Sequence, residues 1–171
     1  LCETLSPYWA GGASRYPIVL AHGFMGWDRR WWLDYFYDIP QTLHAAGYSV
    51  FAAAMDPVAS SEVRSRQLLA YVDDVRDCLC TDKVNVIGHS QGGLDARMLV
   101  GPLDRADAVA SITTISSPHI GFELADDVVE NRGLGPAFLD ALAILTSTLF
   151  LGPATDEADF RATLNSMSKA T

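Results

Sequence analysis

The sequence predicts an α/β fold built on a parallel sheet, and three observations carry that expectation. Four short apolar runs, residues 18–21, 49–53, 84–87 and 110–115, read as strands. Segments with helical apolar spacing separate them, so each strand returns beside another by a right-handed crossover, which makes the neighbours parallel. The run Gly88-His89-Ser90-Gln91-Gly92 stands where the third strand passes directly into a helix.

Each element has a local reason. Residues 18–21 are wholly apolar (Ile-Val-Leu-Ala) and end at His22-Gly23, a strand followed by a turn. Behind that turn Trp27, Trp31, Trp32, Tyr35, Phe36 and Tyr37 crowd together. Most of these aromatics are expected to pack a loop and short helix on the sheet, and some to line a cleft. Pro40 opens a short helix that stops at Gly47. After the strand at 49–53, Leu68, Val72, Val75 and Leu79 recur at helical spacing, with Asp73, Asp74 and Arg76 outside the stripe. The helix from Gln91 to Val100 has no proline and puts Leu94, Met98 and Leu99 on one side. The run 110–115 is rich in β-branched residues, as in a strand covered on both faces, and would be a naked edge if the chain ended at Thr171. Residues 137–151 align Phe138, Leu142, Leu145 and Leu149, too short and interrupted a run to span a bilayer.

The Gly-x-Ser-x-Gly run has a mechanical logic. A strand that turns at once into a helix forces the serine backbone into a strained conformation, and the residues two before and two after it must be small. Gly88 and Gly92 meet that demand. This is the nucleophile elbow of an α/β-hydrolase, with Ser90 as the nucleophile toward an ester or related acyl carbon. A second motif, His22-Gly23-Phe24-Met25-Gly26, follows the first strand. A tetrahedral intermediate needs backbone N–H donors for its oxyanion, one from the residue after the nucleophile and one from the loop after an earlier strand. Gln91 and Phe24 are the expected donors, with His22, Gly23, Gly88, His89 and Gly92 shaping the loop and the elbow.

Several stretches carry a more specific resemblance. Tyr16-Pro17-Ile18-Val19-Leu20-Ala21-His22-Gly23, Tyr35-Phe36-Tyr37-Asp38-Ile39, Gln67-Leu68-Leu69-Ala70-Tyr71-Val72, the run from Lys83 to Leu94 with Arg97 beyond, and Ser111-Ile112-Thr113-Thr114-Ile115 followed by Pro118-His119 and Gly121 resemble the secreted bacterial triacylglycerol lipases of the Pseudomonas/Burkholderia type. The likeness runs from about Tyr16 to the C-terminus and weakens after Gly121. Ile120 and Phe122 depart from it, standing where that family usually has Arg and Ser. The resemblance implies an α/β-hydrolase fold, a lipid ester substrate met at an oil–water interface, Ser90 as nucleophile and the Phe24 and Gln91 amides as oxyanion hole. It also implies a lid within residues 126–152; without it, the apolar face at 137–151 reads as an ordinary core helix. A structural calcium is usual in such lipases, with ligands beyond this sequence.

A nucleophilic serine needs a base and an acid, and in this fold they follow it as Asp or Glu, then His. Of the four histidines, His22, His44 and His89 precede Ser90, and His119 sits just past the fourth strand in a position that is not the base of the resembling lipases. The triad acid and base are therefore expected outside this chain. Residues 1–171 read as one domain, the N-terminal portion of a mostly parallel, helix-flanked hydrolase sheet, completed by a second segment or chain of the same enzyme.

Composition bounds the rest. The 171 residues are 49% hydrophobic, enough for a buried core, and the net charge of −9 disfavours nucleic acid and anionic membranes as partners. No transmembrane segment and no organic cofactor is expected. Of Cys2, Cys78 and Cys80, one of the latter two is expected to pair with Cys2, in keeping with secretion; three free thiols is the alternative. The reading is a serine carboxylic ester hydrolase, foremost a triacylglycerol lipase. The alternatives are an esterase or acyltransferase on the same scaffold, or a non-catalytic binding module.

Overall fold

The computed structural model describes residues 2–9, 12–27, 29–30, 33–121, 162–165 and 167–168. The chain divides into two compact units, one of Leu1–Pro57 with Glu62–Ser117, the other of Val58–Ser61 with Pro118–Thr171. In chain order the elements are α1 (Cys2–Leu5), β1 (Ile18–Ala21), β2 (Arg29–Arg30), β3 (Leu33–Asp34), α2 (Ile39–Ala45), β4 (Val50–Ala53), α3 (Ser61–Leu79), β5 (Val84–His89), α4 (Gln91–Val100) and β6 (Val109–Ile115).

The four expected strands form one sheet in the order β4-β1-β5-β6. Every pair is parallel: Ile18 lies opposite Val50 on one side and Asn85 on the other, and His89 opposite Ile115. β1 sits inside the sheet, which is why all four of its residues are apolar and buried. Val19 and Ala21 face one layer with Val84 and Val86 of β5, packed under Leu68, Val72 and Val75 of α3 and Ala96 and Leu99 of α4. Ile18 and Leu20 face the other, with Phe36, Val50 and, from α2, Leu43. The α3 stripe read from sequence is this contact: Leu68, Val72 and Val75 are fully buried and Leu79 partly. Each such side chain contributes roughly 1.5–3 kcal/mol by leaving water.

Two features differ from the sequence reading. β6 is buried only at Val109, with Ile112 half-buried and Ile115 exposed, so its β-branched run is not covered on both faces. Among the described residues it borders the sheet, with one paired side. The two-residue strands β2 and β3, an antiparallel ribbon pairing Arg29 with Asp34, were not foreseen because neither is long enough to show alternation.

Ion pairs tie the back of the sheet. Asp73 of α3 pairs with Arg76 one turn on and with Arg105 in the turn before β6. Burial pushes the Asp73 carboxyl up, but the hydrogen bonds and charges of Arg105 and Arg76 outweigh it and hold it below its ordinary value. Asp73 in turn raises the Arg105 guanidinium above its own. Cys80, just past α3, is a free and exposed thiol. Among the described residues of the second unit, 162–165 are helical and the Thr163 hydroxyl donates to the Val58 carbonyl. The expected lid, residues 126–152, lies outside the described residues, as do Trp31 and Trp32. Among the described residues no helix is long and apolar enough to cross a membrane.

Candidate active site

β5 leads straight into α4, and Ser90 is the hinge. Its backbone stands at φ 54, ψ −125, a conformation costly for a residue with a Cβ. Two neighbours hold it there: the Ser90 amide donates to the Ile115 carbonyl of β6 at 2.8 Å, and its carbonyl accepts from the Gly93 amide at 3.1 Å. Ser90 occupies the N-cap of α4, yet its hydroxyl makes no capping hydrogen bond. Serine at that place usually spends its oxygen on the next amides of the helix. Here the half-buried side chain is left to other uses.

The small residues around it are explained by contact. A Cβ on Gly88 would lie 2.4 Å from the Gly92 carbonyl oxygen, and one on Gly92 would lie 2.2 Å from the carbonyl oxygen of Ala21. Strand β5, helix α4 and the end of β1 thus meet backbone to backbone. That close approach brings the loop after β1 beside the elbow: a Cβ on Gly23 would lie 2.8 Å from the Ser90 Cβ.

The loop itself is a tight turn. The Gly26 amide donates to the Gly23 carbonyl at 3.0 Å, and Met25, at φ 56, donates to the Pro57 carbonyl at 2.7 Å. His22 is fully buried and engaged at both ring nitrogens, Nδ1 at 2.9 Å from the Gly23 carbonyl and Nε2 at 3.3 Å from the Met55 amide. Nε2 also lies 3.2 Å from the Met55 carbonyl, so both ring nitrogens are engaged whichever tautomer the ring holds. The imidazole is spent on the turn and has no lone pair to offer a serine. Phe24 stands in this turn, half-buried; Gln91 opens α4, fully buried. The first amides of a helix have no acceptor within it and point out along its axis, toward where negative charge is stabilised.

The structure therefore gathers Ser90, Gln91, Gly23 and His89 around the end of β1 and β5. His44, on α2, interacts with the Tyr48 carbonyl at 3.4 Å. His119 lies beyond β6, exposed and in the second unit. Among the described residues no group of three or more His, Cys, Asp or Glu could hold a metal ion, so no calcium site is built from them.

Two neighbours of the site were given no specific role from the sequence. Arg64 of α3 is fully buried. Its Nε donates to Asp95 of α4 at 2.8 Å, Nη1 to the Asp56 carbonyl at 2.6 Å and Nη2 to the His22 carbonyl at 2.5 Å. Tyr35 is the other. Its hydroxyl accepts from the Gly23 amide at 3.2 Å and lies 2.6 Å from His89 Nδ1. Its ring stacks edge-on against Trp27 and Phe36. For Arg64 a signal existed: the α3 apolar stripe extended back one turn lands on it, and a cation on a core stripe must be paired inside.

Comparison with known proteins agrees with this geometry. Residues 16–158 match the family described as alpha/beta hydrolase fold. The chain is 44% identical over 124 residues to a triacylglycerol lipase of Vibrio cholerae, covering 72% of this chain and 38% of that protein. It is 36% identical over 167 residues to one of Burkholderia plantarii, covering 92% and 46%. It is 41% identical over 113 residues to one of Pseudomonas fragi, covering 66% and 38%. The chain thus spans about half, or less, of the length of the curated relatives it matches. Among solved structures, a Bacillus licheniformis lipase in mature form superimposes with a TM-score of 0.71 at 19% identity, over 97% of this chain and 60% of that one. A Staphylococcus hyicus lipase gives 0.57 at 20%, over 94% and 58%. At such identities these show a shared fold.

Proposed function

We propose that this chain, which belongs to the α/β-hydrolase fold family, is the nucleophile-bearing part of a serine carboxylic ester hydrolase, a triacylglycerol lipase. Ser90 attacks the ester carbonyl, the alcohol leaves, and water then releases the fatty acid from the acyl-enzyme. The Phe24 and Gln91 amides receive the charge on the carbonyl oxygen. The observation that carries the reading is Ser90 itself: strained at φ 54, half-buried, uncommitted to capping α4, with the β1 loop packed against it. The likeness to triacylglycerol lipases supports the substrate class.

The base and its acid partner come from a further segment of the enzyme. This is supported by the fraction of its relatives that the chain spans, and by His22 being locked into the turn. That segment also extends the sheet beyond β6. Residues 126–152 form the lid, on the strength of the apolar pattern and the lipase likeness. Secretion is part of the proposal, and so is a Cys2–Cys78 disulfide tying down the N-terminus. What supports the choice of Cys78 as partner is that Cys80 is a free thiol.

An organophosphonate probe tests the proposal on the full-length protein. Labelling at Ser90, abolished by Ser90→Ala, is the expected result. No labelling of the full-length protein would overturn it in favour of a non-catalytic hydrolase-fold module. Labelling without hydrolysis of emulsified triacylglycerol would favour an esterase or acyltransferase.

A further inference from the structure

The carbonyl of His22 and the amide of Gly23 belong to one peptide unit, which lies between β1 and the expected oxyanion donor Phe24. Both of its polar ends are held. The carbonyl accepts from Arg64 Nη2 at 2.5 Å, and the N–H donates to the Tyr35 hydroxyl at 3.2 Å. In a trans peptide these two groups point in opposite directions, so the plane is gripped from both sides and cannot rotate without losing both bonds.

The two grips share a further property. Each residue that holds the peptide is itself anchored to the elbow. Arg64 pairs through Nε with Asp95, on the second turn of α4, and both side chains are fully buried. Tyr35 lies at 2.6 Å from Nδ1 of His89, the residue before Ser90. The phenol oxygen accepts from Gly23 and is hydrogen-bonded to His89 Nδ1, the direction of the second bond following the tautomer of the ring. One phenol oxygen thus links the Gly23 amide to the residue before Ser90.

We propose that Arg64 and Tyr35 are positioning residues for turnover: together they slave the orientation of the His22–Gly23 peptide, and hence the amide that follows, to the helix and strand that carry Ser90. Neither touches the substrate in this role. A donor aimed at the transition state stabilises it only when it is held in place before the charge develops. Loss of either grip lets the turn reorient, which weakens binding of the oxyanion and leaves ground-state binding of the ester nearly intact.

This rests on the proposed function, and the experiment separates the two. The full-length enzyme is compared with Tyr35→Phe, which removes one hydroxyl and keeps the ring, with Arg64→Lys, which keeps the charge but cannot make the three-way grip, and with Arg66→Ala as control. Among the described residues the Arg66 side chain makes only an exposed pair with Glu62. Hydrolysis of a soluble p-nitrophenyl ester is followed with thermal melting. For Tyr35→Phe the expected result is a fall in kcat of about tenfold with KM changed less than about twofold, an unshifted melting temperature and a matching fall in the rate of phosphonate inactivation. Arg64→Lys, if folded, falls in the same sense. If Arg64→Lys does not fold, Tyr35→Phe alone decides. An active wild type with Tyr35→Phe unchanged in kcat, or changed only in KM, overturns the inference and leaves the proposed function standing. An inactive, unlabelled wild type is the failure of the proposed function instead.

Discussion

Gly92→Ala is the sharpest test of how the site is assembled. The added Cβ would lie 2.2 Å from the Ala21 carbonyl oxygen, 2.6 Å from that of His22 and 2.7 Å from the Ala21 carbonyl carbon. Ordinary contact begins near 3.4 Å. All three obstacles are backbone atoms at the end of an interior strand, so none can swing aside as a side chain would. α4 and β1 must therefore separate by roughly 1 Å. Overpacking of a tight interior typically costs about 1–3 kcal/mol, and an immovable backbone puts this site at the upper end. For a protein about twice this length, as the relatives are, about 3 kcal/mol lowers the melting temperature by roughly 3–6 °C. The separation also draws the oxyanion turn away from Ser90, and a misplacement of about 1 Å can cost on the order of a hundredfold in rate. Thermal melts and kcat for an ester substrate, measured on the full-length enzyme, check both numbers. Gly12→Ala is the control, because a Cβ there meets nothing within 4 Å. If Gly92→Ala melts and turns over like Gly12→Ala, the close approach of helix and strand is not what sets the site.

Two further outcomes follow from the periphery. Asp73 has its carboxyl held below the ordinary value in the fold, so the unfolded chain keeps that proton more readily. The stabilisation is present above the ordinary carboxylate range and is lost as pH falls through it and on through the folded value. The stability advantage of wild type over Asp73→Asn should be constant from about pH 7 to 5 and shrink toward pH 3, modestly, since the Asp73 side chain is 39% exposed. Melts at pH 6 and 3 check the sign, and a gap that does not shrink with acid would contradict it. If Cys78 is bonded to Cys2 as proposed, denaturing thiol titration without reductant finds one reactive thiol, Cys80, and Cys80→Ser removes it; three reactive thiols would refute the disulfide.

The parallel sheet was legible because its signals are local. β1 is a short apolar run followed by His22-Gly23, β5 a mostly apolar run that reaches Gly88, and the α3 stripe repeats over three turns from Leu68 to Leu79. The elbow was legible because one spacing, Gly88-x-Ser90-x-Gly92, reflects a steric demand that the coordinates express as sub-contact distances to a Cβ. What stayed hidden was long-range. Tyr35 reads as one aromatic among six, and nothing near it in sequence announces a hydrogen bond to His89, 54 positions away. Arg64 interrupts an apolar stripe, but its three acceptors come from Asp56, Asp95 and His22, brought together only by the fold. β6 is read as a strand covered on both faces in the complete enzyme, and in this chain most of it is exposed, as an edge awaiting a further segment would be.

The strand order carries a consequence for how the molecule comes into being. β1 is made first and finishes in the interior, bonded to β4 on one side and to β5 on the other. Ile18 cannot meet Asn85 until β4, α3 and their connections have been synthesised and looped out. Closing so wide a loop is slow, and the wholly apolar first strand waits in water meanwhile. The Ser90 amide in turn is bonded to Ile115 of β6, a strand made later still. The strand order thus makes the innermost strand the segment exposed longest to association with other chains during synthesis.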